Sequence, residues 1–216
     1  DTYVNLEEGI DKKYTYEEAK KIVLDVVKVF GEHYQKTVQS AFDNRWIDIY
    51  PNKAKRGGAY SSGSYDTLPY ILLNFQGEYN DVSTLIHEMG HSMHSYYSNQ
   101  NNPYLYSGYK IFVAEVASTV NELLLSHYML EHSNSKEEKL FILNNLMELY
   151  RATIYRQTMF AEFEKEISNV IDNDGALTAD KLSNMYYDLN KFYFGDNVVV
   201  DDYIRYEWER IPHFFY

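Results

Sequence analysis

Apolar residues recur at helical spacing over most of the chain, and the exceptions are concentrated in one stretch. Thr15-Tyr16-Glu17-Glu18 has the form of a capping box, Thr first and Glu three positions later, and opens a long amphipathic pattern running to about Phe42. Residues 46 to 78 break that period. They hold Pro51, Pro69, Gly57, Gly58 and Gly63 with two short strand-like runs, 59–62 and 70–75, and predict a small sheet or hairpin. A helix from 81 to about 97 follows, entered through Asn80 and Asp81 as capping residues, and another covers 111 to about 130. Ser135 is placed to cap a helix over 136–170. Asp172-Asn173-Asp174-Gly175 starts like a calcium loop, but the spaced acidic ligands do not follow, so it reads as a turn. Thr178 caps a helix to about Phe194, and Asp201 begins the last one. No repeat, low-complexity tract or linker interrupts the pattern. The expectation is a mainly α chain, one domain over 1–216, with a small β-sheet or hairpin preceding the 81–97 helix.

That helix carries His87-Glu88-Met89-Gly90-His91. Helical positions four apart share a face, so His87 and His91 can present two imidazoles to one metal ion. Glu88, next to the first histidine, is placed to hold and deprotonate a water. Two nitrogen ligands and a general base on one helix is the zinc-peptidase arrangement. The blander reading is two half-buried histidines on an amphipathic helix whose Leu85, Ile86 and Met89 face a core. Gly90 costs about 1 kcal/mol in a helix interior, which implies a close approach to its backbone. A third ligand is best supplied by Glu115, in Ile111-Phe112-Val113-Ala114-Glu115-Val116-Ala117-Ser118-Thr119. A carboxylate among apolar and small neighbours is paired, metal-bound or costly; the alternative is a polar stripe facing solvent. His94 shares the face of His87 and His91. Seven residues of helix span about 10.5 Å, so His87 and His94 do not both join His91 on one ion. His94 reads as lining the cleft or as ordinary polar surface.

Composition narrows the picture. The chain has 216 residues, 45% of them hydrophobic, enough for a sizeable core and too apolar for disorder. With no cysteine, disulfides and thiolate ligands are excluded, leaving His and carboxylates for a metal, and the chain fits a reducing cytoplasm. No apolar run approaches a membrane span and no signal peptide is visible. A net charge of −12 argues against a nucleic-acid partner, since phosphate binding needs a basic surface. Most of the 23 tyrosines suit half-buried helix positions with the hydroxyl in water. Tyr60, Tyr97, Tyr203 and Tyr206 are candidates for contact with a peptide backbone. The strand-like stretch either offers an edge to which an extended peptide adds as a strand, with Gly57-Gly58-Ala59-Tyr60 small enough to let it approach, or is a loop that covers the core.

The motifs together resemble the M3 family of zinc metallopeptidases and, within it, the oligoendopeptidase F group. The resembling residues are Arg45-Trp46-Ile47-Asp48-Ile49-Tyr50-Pro51-Asn52-Lys53, Gly58-Ala59-Tyr60-Ser61, Pro69-Tyr70-Ile71-Leu72-Leu73-Asn74, the run from His87 to His94, the run from Phe112 to Thr119, and Arg210-Ile211-Pro212-His213-Phe214. Their order and spacing match over nearly the whole chain. The resemblance implies a zincin-like catalytic domain with Zn2+ held by His87, His91 and Glu115. It implies Glu88 as catalytic base, and His213 near the scissile bond as a stabiliser of the transition state. It further implies short peptide substrates. Family members carry an N-terminal helical region before this stretch and a tyrosine-rich helical segment after it. The expectation is therefore a catalytic-domain fragment lacking both, with the oxyanion tyrosine in the missing segment. Two functional readings follow: a zinc metalloendopeptidase, or a zinc-binding but catalytically impaired chain serving only as a helical binding or structural module.

Overall fold

In the computed structural model, residues 12–215 are described. They are mainly α-helical, with one small sheet. Thr15 caps α1 (Tyr16–Val26) through the expected capping box with Glu18. The single helix expected to run on to Phe42 is broken. After a 3-10 turn, Val27–Phe30, the chain passes through Gly31 at φ 91°, a left-handed conformation that costs glycine little, before α2 (Glu32–Asp43) begins.

The sheet contains β1 (Ile47–Asp48), β2 (Tyr60–Ser62) and β3 (Tyr70–Leu72) in the order β1-β3-β2. The two anticipated strand runs are present in shortened form, and β1 is additional. Two residues carry no alternating pattern; β1 exists because β3 pairs with it in parallel, Ile71 N–H donating to Trp46 O at 2.7 Å. β2 pairs antiparallel with β3, Ser61 opposite Ile71, and forms a sheet edge.

Then come α3 (Tyr79–Asn101) and α4 (Ile111–His132), the two helices that build the site. The anticipated Asn80-Asp81 entry to α3 is shifted. Glu78 is the N-cap, its backbone carbonyl taking the Asp81 N–H at 3.1 Å, while the Asp81 carboxylate bonds back to the N–H groups of Glu78 and Gln76, both at 2.9 Å. Asp81 thus closes the box from inside the helix rather than opening it.

The chain divides into two compact units, up to Leu143 and from Asn144. The core of the first collects Val23, Val27, Val38, Ile71, Val82, Leu85, Ile86, Met89 and Leu125, all essentially inaccessible to water. Each such side chain contributes about 1.5–3 kcal/mol by burial, which locks α3 between the sheet, α1 and α4.

The stretch expected as one helix over 136–170 is α5 (Lys136–Tyr150), a π-helical segment Arg151–Tyr155, and α6 (Arg156–Asp172). α7 (Ala179–Phe194) is capped by Thr178 as anticipated. The last anticipated helix is a 3-10 segment, Asp202–Arg210, with the Asp201 carboxylate taking the Tyr203 N–H at 2.8 Å. In the second unit Phe160, Phe163, Tyr186 and Phe214 pack ring against ring. Glu207 accepts from Arg156 and from the Tyr186 hydroxyl, each at 2.7 Å. Among the described residues no helix is long and apolar enough to cross a membrane.

Candidate metal centre

α3 and α4 touch through Gly90. A Cβ at that position would lie 2.6 Å from the Ala117 carbonyl oxygen and 2.9 Å from Ser118 Cα. Asn121 Nδ2 crosses the contact to donate to Ile86 O at 3.2 Å. The close approach implied by a glycine in mid-helix is therefore the seam between the two helices.

Because of that seam, Glu115 in the first turns of α4 faces His87 and His91 of α3. The Nε2 atoms of the two histidines are 3.2 Å apart, and Glu115 Oε2 lies 3.6 Å from the first and 3.5 Å from the second. Bonds of about 2.0–2.1 Å in tetrahedral geometry place ligand atoms about 3.4 Å from one another. The three atoms form a triangle of that size, and two imidazole nitrogens with one carboxylate oxygen suit a catalytic zinc site. These residues can hold a metal ion together. The Glu115 side chain is 47% exposed, which leaves one side of the cluster open to solvent. Ser118, fully buried, donates to Glu115 Oε2 at 2.8 Å and fixes the carboxylate.

Glu88, adjacent on α3, is buried. Burial pushes its carboxyl above the ordinary value, against the lowering effects of His87 and a backbone hydrogen bond from Ser61. The sheet explains that bond. Ile71 donates to Trp46 O and Leu73 to Asp48 O on the β1 side, so the peptide groups of Tyr70 and Leu72 face Ser62 and Tyr60 of β2, and the peptide groups of Ser61 point away from β3. Ser61 Oγ is also 2.7 Å from Ser92 Oγ of α3, which fastens this edge beside the metal helix.

One contributor was not anticipated. Glu122, two turns beyond Glu115 and on the same face of α4, brings Oε2 to 2.9 Å from His87 Nδ1, and its Oε1 accepts from Ser83 Oγ at 3.2 Å. The only sequence signals were its spacing of seven from Glu115 and the spacing of four between Ser83 and His87. Burial pulls His87 down, but the Glu122 hydrogen bond and charge outweigh it and raise the imidazole above its ordinary value. His91 is lowered, by burial and then by the charge of His87.

His94 is not part of the cluster. It stacks on Tyr109, ring centres 3.7 Å apart, and the Tyr109 hydroxyl bonds Ser95 at 2.6 Å. Tyr97 contacts His33 Nδ1 at 3.0 Å, and Tyr60 packs edge-on against Tyr70. His213 belongs to the second unit, in the short 3-10 segment Pro212–Phe214. Its side chain is exposed, while Phe214 beside it is anchored among Phe160, Phe163 and Tyr186. Tyr203 and Tyr206 are exposed in the same unit.

Residues 2–216 match the model of peptidase family M3. The chain is 50% identical over 216 residues to oligopeptidase PepF of Bacillus subtilis (strain 168), covering 100% of this chain and 32% of that protein. It is 45% identical over 208 residues to the chromosomal oligoendopeptidase F of Lactococcus lactis subsp. cremoris, covering 96% and 35%. Among solved structures, oligoendopeptidase-F from Enterococcus faecium superposes with a TM-score of 0.59 at 32% identity, covering 92% of this chain and 28% of that one. The chain thus spans about a third of the length of these curated relatives.

Proposed function

The chain belongs to peptidase family M3, and on that premise we propose that residues 1–216 act as a catalytic domain of a zinc-dependent endopeptidase that cleaves short peptides. The observation that carries the reading is the meeting of His87 Nε2, His91 Nε2 and Glu115 Oε2 at zinc-ligand spacing, with the buried Glu88 beside them. Bound there, zinc supplies a Lewis acid that polarises a peptide carbonyl and acidifies water.

The chain's own residues do the rest. Burial makes Glu88 a stronger base than an exposed carboxylate, suited to take a proton from water and return it to the leaving amine. β2 lies at the edge of the sheet, and an extended substrate adding there as a strand would be recognised by backbone more than side chain, which suits broad specificity. By its resemblance to the family motif, His213 is assigned a part in stabilising the transition state. The cysteine-free composition fits a cytoplasmic setting.

Hydrolysis of a fluorogenic peptide, with and without chelator, tests the proposal alongside Glu88→Gln. The expected result is chelator-sensitive cleavage by the natural sequence, and a variant that keeps its zinc and loses cleavage. Near-normal cleavage by Glu88→Gln rejects the base assignment. One zinc per chain with no cleavage at all favours a binding module instead.

A further inference from the structure

We infer that Glu122 is a positioning residue for this centre: it holds His87 in the tautomer that aims a lone pair, rather than a proton, at the metal. The inference rests on the metal-centre reading above.

Both oxygens of the Glu122 carboxylate are engaged, and both partners come from α3. Oε1 takes the Ser83 hydroxyl at 3.2 Å and Oε2 faces His87 Nδ1 at 2.9 Å, with the side chain only 14% exposed. Ser83 and His87 are one turn apart, so the two donors grip one carboxylate from the same helix face. An ionised carboxylate only accepts hydrogen bonds. His87 must then carry its proton on Nδ1, and a neutral imidazole protonated there presents a bare Nε2.

The consequence lies at the cluster itself. Nε2 of His87, Nε2 of His91 and Oε2 of Glu115 sit 3.2–3.6 Å from one another. With His87 protonated on Nδ1, its bare Nε2 faces His91 Nε2 and Glu115 Oε2 as an acceptor, an arrangement that a cation relieves. Without Glu122, His87 can move its proton to Nε2 and donate it to His91 or Glu115. That state satisfies the cluster with no metal and competes with metal binding. Glu122 acts by excluding it.

The test uses the 216-residue chain in metal-free form, with 15N-labelled histidine, and zinc affinity measured by competition with a chromogenic chelator. In the natural sequence the His87 imidazole nitrogens should report the Nδ1–H tautomer. Glu122→Ala should shift it to Nε2–H and weaken zinc binding by about 10–100-fold. Glu122→Gln, whose amide oxygen still accepts from Nδ1, should keep the tautomer and lose less affinity. Ser83→Ala should cost a few-fold on its own and nothing further in the Glu122→Ala background. An unchanged His87 tautomer and unchanged zinc affinity in Glu122→Ala overturn the inference while leaving the metal centre standing. A lower melting temperature with unchanged affinity also overturns it, since the role is then structural only. A natural sequence that binds no zinc rejects the metal-centre reading and this inference with it.

Discussion

Gly90→Ala is a one-methyl probe of the whole site, because the α3–α4 seam sets the distance between histidines on one helix and Glu115 on the other. The added Cβ would lie 2.6 Å from Ala117 O, 2.8 Å from Asn121 Nδ2 and 2.9 Å from Ser118 Cα, where ordinary contact begins at 3.4 Å. Two of these three atoms are backbone, so rotamer changes cannot absorb the overlap and the helices must separate by up to about 0.8 Å. Overpacking of this kind costs about 1–3 kcal/mol, with the upper end expected against backbone. Alanine recovers about 1 kcal/mol through its better helix propensity. The net loss is then about 2 kcal/mol. A shift of that size is also large against a ligand triangle with edges of 3.2–3.6 Å, so zinc affinity should fall at least tenfold. Urea unfolding of the metal-free variant isolates the packing cost from lost metal, and chelator competition reads the affinity. A Gly90→Ala protein with the stability and zinc affinity of the natural sequence would falsify the claim that this seam positions the ligands.

Further outcomes follow from the same geometry. Zinc at a hundred times its dissociation constant should stabilise the natural sequence by about 2.7 kcal/mol, and Glu115→Ala should lose most of that stabilisation at the same zinc concentration; equal thermal shifts in both proteins would assign the third ligand elsewhere. His213→Ala, altering an exposed side chain, should leave zinc content and stability unchanged while lowering kcat by about 10²–10³-fold in the peptide assay; full activity would remove His213 from the mechanism. In the second unit, burial raises Glu207, but hydrogen bonds from Arg156 and Tyr186 prevail and hold its carboxyl below the ordinary value of 4.5. A carboxyl lowered on folding stabilises fully above its unfolded value, and that stabilisation is lost as pH falls through the folded value. The stability gap between the natural sequence and Glu207→Gln should therefore be widest at neutral pH and close on acidification below 4.5, measured by urea unfolding without metal; a gap independent of pH would refute the ion-pair account.

Features held within one turn of chain were the ones legible in the sequence. The Thr15–Glu18 box, the Thr178 cap, the pairing of His87 with His91 on one face and the adjacency of Glu88 depend on spacings of one to four residues, which helix geometry alone determines. The need for a close approach at Gly90 was also legible, since a mid-helix glycine is otherwise a cost. Local reading failed where a distant partner or a single backbone angle decided the outcome. Gly31, at a positive φ, divides a continuous amphipathic pattern into α1 and α2. β1 exists only as a partner of β3. Glu78 takes the α3 cap because the Asp81 carboxylate reaches back to its N–H.

The candidate metal site divides along the same line. The pentapeptide from His87 to His91 determined by itself that two imidazoles share a helix face with a carboxylate beside them. Only the packing of α4 across Gly90 decided that Glu115 completes a triangle with those imidazoles and that Glu122 backs His87, and only the packing of the sheet on α3 decided that Ser61 bonds Glu88. The periodicity of a helix specifies which of its residues point the same way. What they point at depends on the distance between separate elements, and here steric contact at one glycine sets that distance.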